Sequence, residues 1–362
     1  MNTFESFKLP TEIAFALKRN QFVTPTPIQA AAIPLALRGT DLTGSAQTGT
    51  GKTAAFLIPI LARMTENPEL RALIMAPTRD LCEQIAQVLE SLMTSKMKIR
   101  SALLIGGASM GKQFRALDRD PSILIATPGR LNDHLNRGSV NLSSAQIVVL
   151  DEVDRMLDMG FLPQVEKIME GVPSNRQNLF FSATMPKSLR KLTDRFTKNA
   201  EYISVGATEK PAEKIEHSHI EIDGASKNER VLTEVKKRTG SVLIFARTKI
   251  RADRLARFLK TNSVKAIALH SGRTQAQRRM AIEGFTNREY SVLVATDIAS
   301  RGLDIPDIEL VMNFDLPQTR EDFIHRIGRT ARGSARGEAM SFICPDEASL
   351  WRYISKEKNE GG

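Results

Sequence analysis

The sequence predicts an α/β protein built from two parallel-sheet domains in tandem, and three observations carry that expectation. At 362 residues the chain exceeds what one hydrophobic core usually serves. Short apolar β-rich runs alternate with longer helix-like stretches throughout, the pattern of parallel strands covered by helices. Near the middle, Gly206-Ala207-Thr208-Glu209-Lys210-Pro211-Ala212-Glu213-Lys214 is polar and aperiodic, which marks a linker. The expected division is therefore 1–205, a linker over 206–215, and 216–362.

In the first half the strands are read at Ala72–Met75, Ser101–Ile105, Ile123–Ala126, Ile147–Leu150 and Leu179–Ser182. Those of the second half are read at Val242–Phe245, Ala266–Leu269, Val292–Ala295 and Leu310–Asn313.

Composition narrows the function classes. With 41% hydrophobic and 25% charged residues the chain is an ordinary folded protein. No apolar run approaches the roughly 20 residues that span a bilayer, so no membrane role is expected. The start, Met1-Asn2-Thr3-Phe4-Glu5-Ser6, lacks the layout of a signal peptide. Cys82 and Cys344 are far apart and lack metal-ligand spacing, which argues against a disulfide framework or a zinc site. A monomer in the reducing cytoplasm is the expectation. The formal charge of +10 permits a polyanionic partner, and it divides as +5 before residue 205 and +5 after it. If nucleic acid binds, both halves should touch it.

The strongest local signal is Gly44-Ser45-Ala46-Gln47-Thr48-Gly49-Thr50-Gly51-Lys52-Thr53, followed by an apolar helix-like run. Small residues there let backbone N–H groups turn inward and cradle phosphate oxygens at a helix N-terminus. In such a loop Lys52 reaches the β- and γ-phosphates of ATP, and the Thr53 hydroxyl ligates Mg²⁺. Ala46 stands where the usual pattern has glycine. A glycine-rich turn alone would be a weaker signal.

The second half of a nucleotide site should be acidic and lie at the end of a buried strand. Asp151-Glu152-Val153-Asp154 follows Ile147–Leu150 in that way. Asp151 can hold Mg²⁺ through water while Glu152 polarises the attacking water. An isolated acidic cluster after a strand would more often cap a helix; paired with the phosphate loop it reads as catalytic.

With these motifs in place the sequence resembles the DEAD-box RNA helicase family, here with Asp-Glu-Val-Asp as the namesake box. The resemblance runs from Phe4 to about Ile343, with the motifs in family order. Gly333 onward and Asp154–Phe161 look most like the bacterial RhlE-type branch. The resemblance implies a fold of two RecA-like domains, the superfamily 2 helicase core. It implies that Gln29, in Thr24-Pro25-Thr26-Pro27-Ile28-Gln29, reads adenine and that Phe4 stacks on the base. Matching the RNA-contacting loops are Pro77, Thr78, Arg79, Gly107, Thr127 and Arg130 in the first half. Arg247, Gly272, Gln275, Arg278 and Thr296 match them in the second. Few of these could read bases, so a phosphodiester backbone is the implied target.

Ser182-Ala183-Thr184 resembles the motif that couples hydrolysis to strand separation, although hydroxyls at a strand end commonly just cap a helix. Asp304 matches the ribose-holding aspartate. His325-Arg326-Ile327-Gly328-Arg329-Thr330-Ala331-Arg332 resembles the arginine-finger motif, with His325 and Arg326 in coupling positions. Arg329 and Arg332 would meet the γ-phosphate, because a guanidinium pairs with phosphate oxygens and never loses its charge.

The function these readings imply is RNA-stimulated ATP hydrolysis that opens short RNA duplexes or remodels RNA–protein particles. Single-stranded and duplex RNA would be the partners. Two rivals share the parts: a DNA translocase, and an ATP-gated RNA clamp without productive unwinding.

Overall fold

The computed structural model describes residues 3–46, 49–183, 185, 187–205, 215–297, 308–330 and 337–355. It divides the chain into two compact units, Met1–Ala207 and Thr208–Gly362.

In the first unit seven strands form one sheet: β1 (Leu42–Ser45), β2 (Ala72–Met75), β3 (Ser101–Leu104), β4 (Ile123–Ala126), β5 (Ile147–Leu150), β6 (Gln177–Ser182) and β7 (Glu201–Ser204). Their order is β3-β4-β2-β5-β6-β1-β7, with every pairing parallel. The helices between them are α1 (Thr11–Arg19), α2 (Pro27–Leu37), α3 (Lys52–Glu66), α4 (Arg79–Leu92), α5 (Met110–Leu117), α6 (Pro128–Asn136), α7 (Val153–Asp158), α8 (Leu162–Glu170) and α9 (Lys187–Phe196). Successive residues of a strand point to opposite faces, so each strand feeds two cores. Ile74, Val149 and Phe181 join one apolar cluster, while Leu73, Val148 and Phe180 join the other. Burial on both faces explains why β2, β4 and β5 read as unbroken aliphatic runs.

In the second unit six strands, also all parallel, lie in the order β10-β11-β9-β12-β13-β8. They are β8 (Ile215–Glu221), β9 (Ser241–Phe245), β10 (Ala266–Leu269), β11 (Val292–Ala295), β12 (Ile308–Asn313) and β13 (Gly337–Ile343). The described helices are α10 (Lys227–Lys236), α11 (Lys249–Thr261), α12 (Gln275–Thr286), α13 (Arg320–Ile327) and α14 (Ala348–Ser355). Threonine hydroxyls start three of them: Thr248, Thr274 and Thr319 accept from the N–H groups of Arg251, Gln277 and Asp322. In parallel sheets the strand C-termini share one edge, so the loops that follow them are brought together.

All nine strands read from the sequence are present. β1, β7, β8 and β13 are additional. β8 begins at Ile215, one residue inside the stretch expected to be linker.

Candidate functional site

The phosphate loop is built at the end of β1. Ser45 lies opposite Ser182 of β6, and the Ala46 N–H donates to the Ser182 carbonyl at 3.0 Å. Gly51 then turns the chain at φ +89°, where a Cβ would overlap the side-chain nitrogen of Gln29. Lys52 follows as the first residue of α3. Its buried Nζ donates to the Ala46 carbonyl at 3.0 Å, so the ammonium is held back across its own loop. The free N–H groups of the first turn of α3 and its helix dipole favour an anion there.

Gln29 is buried and serves two masters. Its Oε1 accepts from the Thr26 N–H at 3.0 Å, closing a capping box on α2, and its Nε2 donates to the Gly51 carbonyl at 3.0 Å. The residue expected to read a base is thus also a prop of the phosphate loop. Phe4 is expected to stack on a base. Only 6% of it is exposed, with its ring edge-to-face against Phe7 at 5.9 Å and Phe22 at 6.0 Å. The two neighbouring rings hold it in place in this structure.

At the end of β5, Asp151 is anchored by its N–H to the Met75 carbonyl at 2.9 Å, and its Oδ1 accepts from the Glu152 N–H at 3.0 Å. Burial pushes the Asp151 carboxyl up, Lys52 opposes the shift and Glu152 adds to it, which leaves the group at about 6. Glu152 sits in the left-handed region at φ 53° and ψ 51°, a conformation that costs a non-glycine residue ~1–2 kcal/mol. Its carboxylate pairs with Arg155 at 2.7 Å, both side chains being buried. Val153 is buried in the same core cluster as Leu150 and Phe180.

Asp154 completes the box. It accepts from the Ala183 N–H at 3.1 Å, and its own N–H reaches the Ser182 hydroxyl at 3.4 Å. The acidic loop and the Ser182-Ala183 segment are therefore tied to each other. Thr53, half-buried on the first turn of α3, and Asp151 supply hard oxygen donors that suit Mg²⁺. Among the described residues no group of three or more His, Cys, Asp or Glu could hold a metal.

The loops after β2, β3 and β4 are stitched together. Pro77 and Thr78 are buried, and the Thr78 hydroxyl accepts from the Leu81 N–H to start α4. The guanidinium of Arg79 lies against Gly106 and Gly107; at Gly107, with φ +76°, a Cβ would overlap it. Thr127 stands at the N-terminal boundary of α6, whose Arg130 donates to the Ala108 carbonyl at 3.4 Å with its side chain only 15% exposed. Arg130 is expected to meet a phosphodiester backbone, and here its guanidinium also holds a neighbouring loop.

The second unit also draws one of its RNA-contact candidates inward. Arg278 is buried beneath its loop, donating to the His270 carbonyl at 3.2 Å. Gly272 N–H donates to His270 Nδ1 at 3.2 Å, and the other ring nitrogen meets Asp253 at 3.0 Å. Gln275 opens α12, and Thr296 follows β11 with its N–H on the Leu269 carbonyl. Arg247 remains half exposed at 47%, steadied by Glu347 at 2.7 Å and through its N–H by Asp315 at 2.9 Å.

Arg326, expected to couple, is consumed inside the unit. It forms a two-point pair with Asp297 at 2.6 and 2.7 Å and donates to the Asn313 side chain at 3.0 Å and the Asp315 carbonyl at 2.6 Å. It braces α13, the helix that also presents His325. Arg329 is buried, with its Nε on the His325 carbonyl at 3.3 Å. Gln47, Thr48, Thr184, Asp304 and Arg332 lie outside the described residues.

Comparison with known proteins decides what this assembly of motifs belongs to. Residues 26–192 match the DEAD/DEAH box helicase family, and residues 226–334 match the helicase conserved C-terminal domain. The DEAD-box ATP-dependent RNA helicase CshA of Bacillus licheniformis is 41% identical over 356 residues, spanning 98% of this chain and 73% of that protein. The chain belongs to the DEAD/DEAH box helicase family. CshA of Geobacillus kaustophilus is 40% identical, over 98% of this chain and 76% of that one. Among solved structures, Mss116p bound to ssRNA and AMP-PNP superposes with a TM-score of 0.87 at 31% identity, covering 98% of this chain and 78% of that one. Dbp5 of S. cerevisiae bound to RNA and ADP BeF3 gives 0.86 at 29%, covering 99% and 95%. Both units are thus the parallel-sheet α/β domains of a tandem RecA-like DEAD-box core.

Sequence reasoning missed two residues of this helicase site. Asp154 was the one carboxylate of its box left without a role. Arg155 stands three residues after Glu152 on the same helical turn, a spacing that brings side chains together and could have exposed the pair.

Proposed function

We propose that this chain is an ATP-dependent RNA helicase that couples RNA-stimulated ATP hydrolysis to local duplex opening or remodelling of RNA–protein particles. The observation that carries the reading is the meeting, at one edge of the first sheet, of three neighbouring strand ends. β1 brings Lys52, β5 brings Asp151 and Glu152, and β6 brings Ser182 tied to Asp154. In this reading Lys52 leaves the Ala46 carbonyl for the phosphates, and Glu152 leaves Arg155 to orient the attacking water. Thr53 and Asp151 would hold Mg²⁺, which supplies charge neutralisation on the phosphate oxygens. Gln29 fixes the adenine while keeping Gly51 in place. Arg329 and Arg332 are assigned to the transition-state charge, a role worth ~10³–10⁵ in rate.

RNA is assigned to the loops around Arg79, Gly107, Thr127, Arg247, Gly272 and Thr296, in contact with the phosphodiester backbone. Mss116p and Dbp5, similar along nearly the whole of this chain, are bound to RNA and nucleotide analogues in their structures. Within the family the proposal keeps the RhlE-type branch, supported by the stretches after Asp154 and Gly333. A cytoplasmic monomer is proposed with it; the two cysteines are free thiols, which suits a reducing compartment.

The test is ATP hydrolysis measured without nucleic acid, with RNA, and with DNA of matched sequence. Stimulation by RNA alone is expected. Equal stimulation by DNA points to a translocase, and ATP-dependent RNA binding without turnover points to a clamp.

A further inference from the structure

Arg326 is the inner end of a polar chain that crosses three neighbouring strands of the second unit. Arginine has no acceptor, so the side-chain oxygen of Asn313 on β12 faces Arg326 Nη1 at 3.0 Å. The amide nitrogen of Asn313 then faces Ser341 Oγ on β13, also at 3.0 Å, and donates to it. Both Asn313 and Ser341 are fully buried. Ser341 keeps one proton to give, and His217 Nε2 on β8 lies 3.0 Å from its oxygen.

The ring of His217 can receive that proton. Burial, with a smaller push from His219, lowers His217 to about 4, which keeps the imidazole neutral. With Nε2 of His217 unprotonated, the donors run in one direction, from Arg326 to Asn313 to Ser341 to His217. The same ring also packs edge-to-face on Phe323 of α13 at 5.2 Å and against Trp351 of α14 at 5.4 Å. His217 therefore touches α13 twice, once through the chain to Arg326 and once through Phe323.

We infer that His217 is a positioning residue for the arginine-bearing helix α13, holding Arg326 and through it the His325 and Arg329 segment by an oriented row of hydrogen bonds. β8 is the first strand after residues 206–214, so this row fixes the helix from the strand that enters the unit. The inference rests on the helicase reading for its effect on turnover, and its local effect can be read without it.

Two substitutions separate the bond from the packing. His217→Phe keeps a ring between Phe323 and Trp351 and removes the acceptor; His217→Gln returns an acceptor at the reach of Nε2. With saturating RNA, His217→Phe and Ser341→Ala should each lower kcat about 5–10-fold at unchanged KM for ATP, and the double variant should be no slower than either. His217→Gln should stay within about twofold of the parent. Hydrogen exchange at the amides of 320–330 should be faster in His217→Phe than in His217→Gln, whether or not the chain turns over ATP. If the parent lacks RNA-stimulated turnover, the helicase reading fails and the exchange comparison alone decides this inference. Equal exchange in the two variants, or a His217→Gln kcat as low as that of His217→Phe, overturns it. Additive losses in the double variant overturn it as well.

Discussion

Replacing Gln29 by glutamate exchanges one amide nitrogen for one oxygen and leaves the outline of the side chain unchanged. The oxygen facing Thr26 keeps its N–H bond, but the other now meets the Gly51 carbonyl at 3.0 Å, acceptor against acceptor, at a residue only 3% exposed. A buried polar group left unsatisfied costs ~1–3 kcal/mol, and a charged one more. Gly51 is the left-handed turn immediately before Lys52, so the loss falls on the phosphate loop. The dissociation constant for ATP should rise by ~10–100-fold, and that for tripolyphosphate, which has no base, by a comparable factor. Calorimetric titration of both ligands into the parent, Gln29→Glu and Gln29→Ala measures this. If tripolyphosphate binds the variants as well as the parent while ATP does not, Gln29 acts on the base alone. A parent that hydrolyses ATP and GTP equally fast with RNA would remove the base-reading role instead.

Further outcomes are expected from the same geometry. Glu152→Gln should bind ATP and RNA but lose most RNA-stimulated hydrolysis; substantial turnover in single-turnover assays would take the water-orienting role from Glu152. Arg247→Ala should lower the slope of log K against log salt for RNA by roughly 0.7, one phosphate's worth, whereas buried Arg278→Ala should weaken binding with a smaller change in slope. Salt titrations that show the reverse order would mean that Arg278, not Arg247, meets phosphate. Val153→Ala removes two buried methyl groups, so stability should fall by ~2 kcal/mol in denaturant titration. RNA-stimulated turnover should remain within about tenfold, and a larger change would make Val153 a catalytic tuner. His217 takes up its proton near 4 when folded against 6.5 ordinarily, so its stability contribution is full above 6.5 and is lost as pH falls toward 4. His217→Gln should flatten the fall in the unfolding midpoint over that range; identical slopes would show that other groups cause it.

The strands buried on both faces were legible because their chemistry is uniform: Ile147–Leu150 and Val292–Ala295 have no polar residue to interrupt the run. β8 was not, since Ile215-Glu216-His217-Ser218-His219-Ile220-Glu221 lies at a sheet edge, where polar side chains are tolerated. β13 hid for a different reason. Its Ser341 and Glu338 break the apolar run, and burial of Ser341 is made possible only by Asn313 and His217, which lie far from it in sequence.

The site divides in the same way. Lys52, Asp151 and Glu152 stand out as candidates in the sequence because phosphate and metal chemistry calls for their type and spacing. Residue type does not fix direction, however. Arg130, Arg278 and Arg326 look like exposed cations in a motif, and the fold turns all three inward onto carbonyls and carboxylates. Phe4 shows the converse, an aromatic whose position in the motif suggests stacking on a base while its neighbours Phe7 and Phe22 enclose it.

The place of β8 at the edge of its sheet has a consequence for how the protein is made. Among the described residues its only strand partner is β13, and Ile215 meets Gly337 across roughly 120 residues of chain. During synthesis at ~5–20 residues per second, β8 waits roughly 6–24 s for its partner to be translated. Throughout that interval both of its edges are open, and β9 to β12 can assemble without it. Its two glutamates and two histidines, spaced along seven residues, keep the waiting strand hydrated and discourage pairing with a neighbouring nascent chain. The polar character that concealed the strand from sequence reading is what protects it on the ribosome.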